Sequence, residues 1–202
     1  MKPATHTALS LQMDETGYSG FFPLLQRGFH VKTKVGISVR DLLCEQFAIS
    51  PEYLADRIKT IFLNGQPVDD VENTALRDGS VLALSAAMPG LVGATFRRGG
   101  GLASFRSGIT YHQEDLANAG EAATVTIKLF NLLAEELGPV FLKAGIWMNP
   151  EEAADFFRER LDSLTPALRG VEVDGREIAP ADIASAWKAE AGAGEAFLRV
   201  QG

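Results

Sequence analysis

Three consecutive glycines, Gly99, Gly100 and Gly101, follow a pair of arginines, Arg97 and Arg98, and Arg106 stands a few residues further on. Amides of a glycine turn converge, and each guanidinium offers a planar fork of donors, so the set can hold a phosphate or a carboxylate. Arg97, Arg98 and Arg106 are therefore the anion-binding candidates. No Lys-Ser or Lys-Thr pair closes the glycine run, so it is not a P-loop. His6, His30 and His112 are scattered without metal-ligand spacing, and no metal site is expected. The single cysteine, Cys44, falls beside an apolar helical stripe with no second Cys or His near it, and reads as a buried structural thiol. No Ser-His-Asp arrangement or close carboxylate pair in a glycine-framed site occurs. The residues point away from an enzyme, and no cofactor is expected.

The elements that must position these residues start with alternation. Leu9, Leu11 and Met13 suggest a first strand; Phe29, Val31, Thr33 and Val35 suggest a second, paired with it as an open hairpin. The intervening Phe21-Phe22-Pro23-Leu24-Leu25 is an apolar loop, either tucked over the core or part of a contact surface. Ser38-Val39-Arg40-Asp41 resembles a capping box with Asp in place of Glu, and Val39, Leu42, Leu43 and Phe47 follow at helical spacing. Ser50-Pro51-Glu52 starts a second short helix. Asn64-Gly65 between apolar runs predicts a hairpin, since both turn residues must take positive φ. Asp78-Gly79 then feeds a strand over Val81 to Leu84.

The stretch Leu63-Asn64-Gly65, Val68, Leu76, Asp78-Gly79, Val81 to Leu84 and Pro89-Gly90 resembles the C-terminal half of the MoaD/ThiS family. These are the small ubiquitin-like sulfur carriers of molybdopterin and thiamine biosynthesis. The resemblance implies a β-grasp fold: strand, strand, helix, hairpin, strand, with the helix at 50–58 an addition. In that family the chain ends in Gly-Gly, and the terminal carboxylate is adenylated and converted to a thiocarboxylate. Glycine suits such a tail because residues without Cβ thread a narrow channel. Arg97-Arg98-Gly99-Gly100 looks like the tail of ubiquitin, yet about half of the chain follows it. The glycine run is thus either a linker or turn, or a tail freed by processing.

Gln113 to Ala123 is polar and makes the best domain boundary. Val125, Ile127 and Leu129 alternate as a strand, although residues 121–137 also satisfy helical spacing as one helix. On the first reading, Phe130 to Leu137 turns helical, stops at Gly138-Pro139, and Val140 to Ile146 forms a partner strand. Asn149-Pro150-Glu151-Glu152 starts a helix with Ala153, Phe156, Phe157, Leu161 and Leu164 inward. Asp174-Gly175 marks a hairpin, Asp182 to Glu190 a helix with Ile183, Ala186 and Trp187 inward, and 194–200 a closing strand. This order again resembles MoaD, more loosely, and Gly202 stands where that family has two glycines.

The expected fold is α+β, with two β-grasp (ubiquitin-like) units in tandem: 1–112, and a looser one or an α+β extension over 113–202. The alternative is one β-grasp domain with a mainly helical extension. A net charge of −7 argues against nucleic acid as a partner. No apolar run is long enough to cross a membrane, the N-terminus lacks a secretory signal, and one cysteine suits a reducing cytoplasm. Oligomeric state is open, a homo-oligomer included. The functional expectation is a sulfur-carrier-like protein, substrate of an adenylating enzyme or partner of a pterin-cofactor enzyme. The tail candidates are Gly99, Gly100, Gly101 and Gly202. The alternative is a β-grasp binding or assembly module without the reactive tail, meeting its partner through the open sheet and the Phe21-Phe22 loop.

Overall fold

A computed structural model describes residues 6–87, 90–98, 100, 118–185 and 194–202. Most of the connector from Gln113, and Ala186 and Trp187, lie outside them. The described strands are β1 (Thr7–Met13), β2 (Phe29–Lys34), β3 (Thr60–Leu63), β4 (Gln66–Pro67) and β5 (Val81–Ser85). They continue with β6 (Ala122–Phe130), β7 (Ile146–Met148), β8 (Leu168–Val173), β9 (Arg176–Glu177) and β10 (Ala196–Gln201). The helices are α1 (Phe22–Arg27), α2 (Val39–Asp41), α3 (Pro51–Asp56), α4 (Gly90–Phe96), α5 (Leu132–Ala144) and α6 (Pro150–Leu164). The protein is a mixed α+β structure with two compact units, one of residues 1–29 and 135–202, the other of 30–134. Neither unit is one of the consecutive halves 1–112 and 113–202.

In the 30–134 unit the strands run in the order β4-β3-β5-β6-β2. The hairpin predicted at Asn64-Gly65 forms: Asn64 has φ 51° and Gly65 φ 81°, and Leu63 faces Gln66 across the turn. Asn64 also ties the next strand, its N–H donating to the Val81 carbonyl while its Oδ1 accepts from the Val81 N–H. β3 and β5 are antiparallel with Ile61 opposite Leu84; β5 and β6 are parallel with Leu82 opposite Ile127. The Ser38 hydroxyl accepts from the Asp41 N–H at 2.9 Å, capping α2, which widens into a π-helical turn over Leu42–Gln46. Val39, Leu42 and Leu43 are buried with Leu54, Ile58, Ile61, Leu63, Leu82, Leu84, Val125, Ile127 and Leu129. Residues 122–130 are therefore a strand, and a single helix over 121–137 is excluded.

In the other unit the order is β7-β10-β1-β8-β9. The pairing expected between the first two strands is not made. β1 lies parallel to β10, Leu9 opposite Leu198, and antiparallel to β8, Leu9 opposite Val173. The Phe21–Leu25 segment is the end of a 3-10 segment (Glu15–Phe21) running into α1, not a loop, and Phe21, Leu24 and Leu25 are buried. Phe21 stacks on Phe156 with centroids 5.5 Å apart, so the end of the Glu15–Phe21 segment packs on the inward face of α6.

α5 corrects a second expectation: it does not stop at Gly138-Pro139, and 140–144 is helix rather than strand. Ala134, Leu137, Phe141 and Leu142 are buried at helical spacing, and this apolar stripe outweighs the one hydrogen bond that Pro139 forfeits. The helix ends at Gly145, whose φ of 96° a side chain resists, and the partner strand is β7. Asn149 caps α6 by accepting from the Glu151 N–H at 2.8 Å.

Candidate functional site

Of the tail and anion candidates, Gly99, Gly101 and Arg106 lie outside the described residues. Arg97, Arg98 and Gly100 meet in one tight turn, in which the Gly100 N–H donates to the Arg97 carbonyl at 3.1 Å. That turn is fastened to the 30–134 unit. The Arg98 N–H donates to the Lys59 carbonyl at 2.7 Å and its Nη2 to the Leu54 carbonyl at 3.0 Å, where α3 hands over to β3. The Arg98 Nη1 is shut away from solvent and has no partner among the described residues. Desolvation lowers the Arg98 pKa from its ordinary value, and the nearby Asp69 opposes that shift. Arg97 is exposed, so it is the guanidinium of this turn that an anion from solvent reaches.

Gly202 directly follows β10, whose last residue Gln201 pairs with Gln12. A Cβ at Gly202 would stand 3.6 Å from the Tyr18 hydroxyl and 3.7 Å from the Met13 carbonyl, so the residue lies close against the body of its unit. Cys44 is half-buried. Burial raises its thiol pKa, against the pull of the Arg40 cation, which leaves the nucleophilic thiolate scarce at neutral pH. Among the described residues no three His, Cys, Asp or Glu side chains are placed to hold a metal ion, and no helix is long and apolar enough to cross a membrane.

The feature best built for recognition is the outer face of the β3-β5-β6 sheet. Strand alternation sends Ile61, Leu63, Leu82, Leu84, Ile127 and Leu129 inward. The opposite parity turns Phe62, Ala83, Lys128 and Phe130 outward. Phe62 is the register partner of Ala83, Ala83 of Lys128, and Ser85 of Phe130. Phe62, Ala83, Ser85, Phe130 and Asn131 line a depression of about 300 Å³. Its rim is set by Asn131, at φ 54°, which donates from Nδ2 to the Ser85 hydroxyl at 2.9 Å. Phe96 of α4 packs on Phe62 with centroids 5.2 Å apart. Phe130 is 38% exposed, and Leu132, just beyond the rim residue Asn131, is 53% exposed. Two large apolar side chains left in water at that level, one lining the depression and the other next in sequence to its rim residue, mark a contact surface. Phe21, by contrast, is fully buried, in keeping with a segment tucked over the core rather than one forming a contact surface.

Sequence reasoning passed over Phe130 because it was placed at the start of a helix. The signal was present, since Thr124, Thr126, Lys128 and Phe130 share one parity of β6. Compared with protein families, curated proteins and solved structures, the chain matches none.

Proposed function

We propose that the chain is a β-grasp-like binding module that presents the Phe62–Ala83–Phe130 face to a partner enzyme, rather than a sulfur carrier. The β-grasp reading is supported by a shared plan. Each unit has strand, helix, hairpin and strand in chain order (β2, α2, β3-β4, β5; β7, α6, β8-β9, β10), plus a fifth strand parallel to the last. The fifth strand comes from elsewhere in the sequence each time, β6 in one unit and β1 in the other. The resemblance to MoaD and ThiS supplies the class of partner, an adenylating or pterin-cofactor enzyme.

The observation that carries the module over the carrier is the fastening of the Arg97–Gly100 turn. A carrier tail must reach away from its domain into another protein's active site, and this turn is tied at Leu54 and Lys59 with sheet strands on both sides of it in sequence. A photo-crosslinking residue at Phe130, and a control at the exposed Glu177, tests the proposal in the native cell. The expected result is an adduct at Phe130 with an adenylating or pterin-cofactor enzyme and none at Glu177. Adducts of equal yield at both positions, or none at Phe130, would contradict it.

A further inference from the structure

A second concave region lies within the 1–29/135–202 unit. It is a cleft of about 620 Å³ between the Glu15–Phe21 segment and α5, lined by Glu15, Thr16, Tyr18, Phe22, Glu135 and Lys143, with Ser19 and Pro139. That volume falls in the range of small-molecule sites. The floor is apolar, made of the Tyr18 ring, 5% exposed, and the half-buried Phe22 and Pro139. Three charged groups stand round it. The Lys143 ammonium lies 5.6 Å from the centre of the Tyr18 ring, and Glu15 and Glu135 are exposed on the same walls. None of the three makes an ion pair among the described residues, although both signs of charge face one cleft.

We infer that this cleft binds a small zwitterion with an apolar body, an aromatic amino acid being the simplest. The carboxylate of such a ligand takes the Lys143 ammonium, its ammonium takes Glu15 and Glu135, and its ring lies on Tyr18 and Phe22. Charges of opposite sign held too far apart to pair with each other are bridged by a ligand carrying both, and each new contact is a charge-assisted hydrogen bond. A simple anion is opposed by the two glutamates and a simple cation by Lys143, so both charges are needed together. The Tyr18 hydroxyl is not part of the site, because it lies toward Gly202 and is closed to solvent.

The test is an NMR titration of the full chain with L-phenylalanine, 3-phenylpropanoate and phenethylamine in parallel. L-Phenylalanine should shift the amides of Thr16, Ser19, Glu135 and Lys143 saturably. It should bind about tenfold more tightly than either single-charge analogue, the size of one charge-assisted contact. In Lys143→Met, at an exposed position, L-phenylalanine should fall to the affinity of phenethylamine while phenethylamine itself is not weakened. Equal affinities for the three probes, no saturable shift at these amides, or unaltered discrimination in Lys143→Met would each overturn the inference.

Discussion

The Tyr18 phenol is buried and its hydroxyl has no hydrogen-bond partner among the described residues, so it carries a desolvation cost that none of them returns. Tyr18→Phe should therefore stabilise the protein by about 1 kcal/mol in denaturant unfolding at neutral pH; a loss of stability would show that the hydroxyl is partnered in solution. Burial, and to a lesser degree the Glu15 carboxylate, raises the Tyr18 pKa. A phenol whose folded pKa is raised favours folding below its unfolded pKa of about 10, and that support is lost as pH climbs through the folded value. The advantage of Tyr18→Phe over the native chain should accordingly widen in alkaline solution. Asp70 behaves in the opposite sense. Its carboxylate accepts from the Asn73 side-chain amide at 2.8 Å and the Asn73 N–H at 3.0 Å, which lowers its pKa. Its contribution is present above the unfolded value of about 3.9 and lost as pH falls through the folded one, so Asp70→Asn should flatten the acid limb of a stability–pH profile. Cys44, with a raised pKa, should react with iodoacetamide near neutral pH more slowly in the native chain than in the same chain unfolded. Equal rates would mean that its burial is not kept in solution.

At the scale of elements, the turns and caps were the most legible features. Asn64-Gly65 and Asp174-Gly175 are turns because their positive φ values are tolerated by few other residue pairs, and Ser38, Ser50 and Asn149 cap helices through one local bond each. Such signals need only a few adjacent residues. Ser38→Ala should cost about 0.5–2 kcal/mol by leaving the Asp41 N–H without its acceptor. α5 was misread because Gly138-Pro139 is a strong local stop and Val140, Leu142, Ala144 and Ile146 happen to alternate. What overrules both is close packing, seen at Gly138, where an added Cβ would stand 2.7 Å from Leu25. Gly145, which ends the helix, is still tighter. Its φ is 96° and a Cβ would come within 2.1 Å of the Phe197 ring. Gly145→Ala should destabilise by about 2–5 kcal/mol, summing left-handed strain and overpacking, as read by thermal or denaturant unfolding. A near-neutral result would show that Phe197 moves freely.

At the scale of the molecule, the α+β class was readable from the succession of periods along the chain, whereas the partners of β1 and β6 were not. Alternation tells which side chains turn inward but not which strand lies alongside, and both strands find parallel neighbours far away in sequence. β1 lies between β10 and β8, and Leu9 and Leu11 are fully buried there. Leu11→Ala should cost about 2–5 kcal/mol although it stands near the start of the chain, where a frayed strand would feel almost nothing. The outer face of β3-β5-β6 was hidden for the same reason. Phe62, Ala83 and Phe130 are far apart in sequence and become one patch only when β6 docks beside β5. On the proposed reading that patch, rather than a glycine tail, is the working surface. Intact and C-terminal peptide masses of the protein isolated from its native cell test this most directly. The module reading requires uncut chain through Gly99–Gly101 with no sulfur-for-oxygen exchange at any of the four tail glycines, and a thiocarboxylate at Gly100, Gly101 or Gly202 would contradict it.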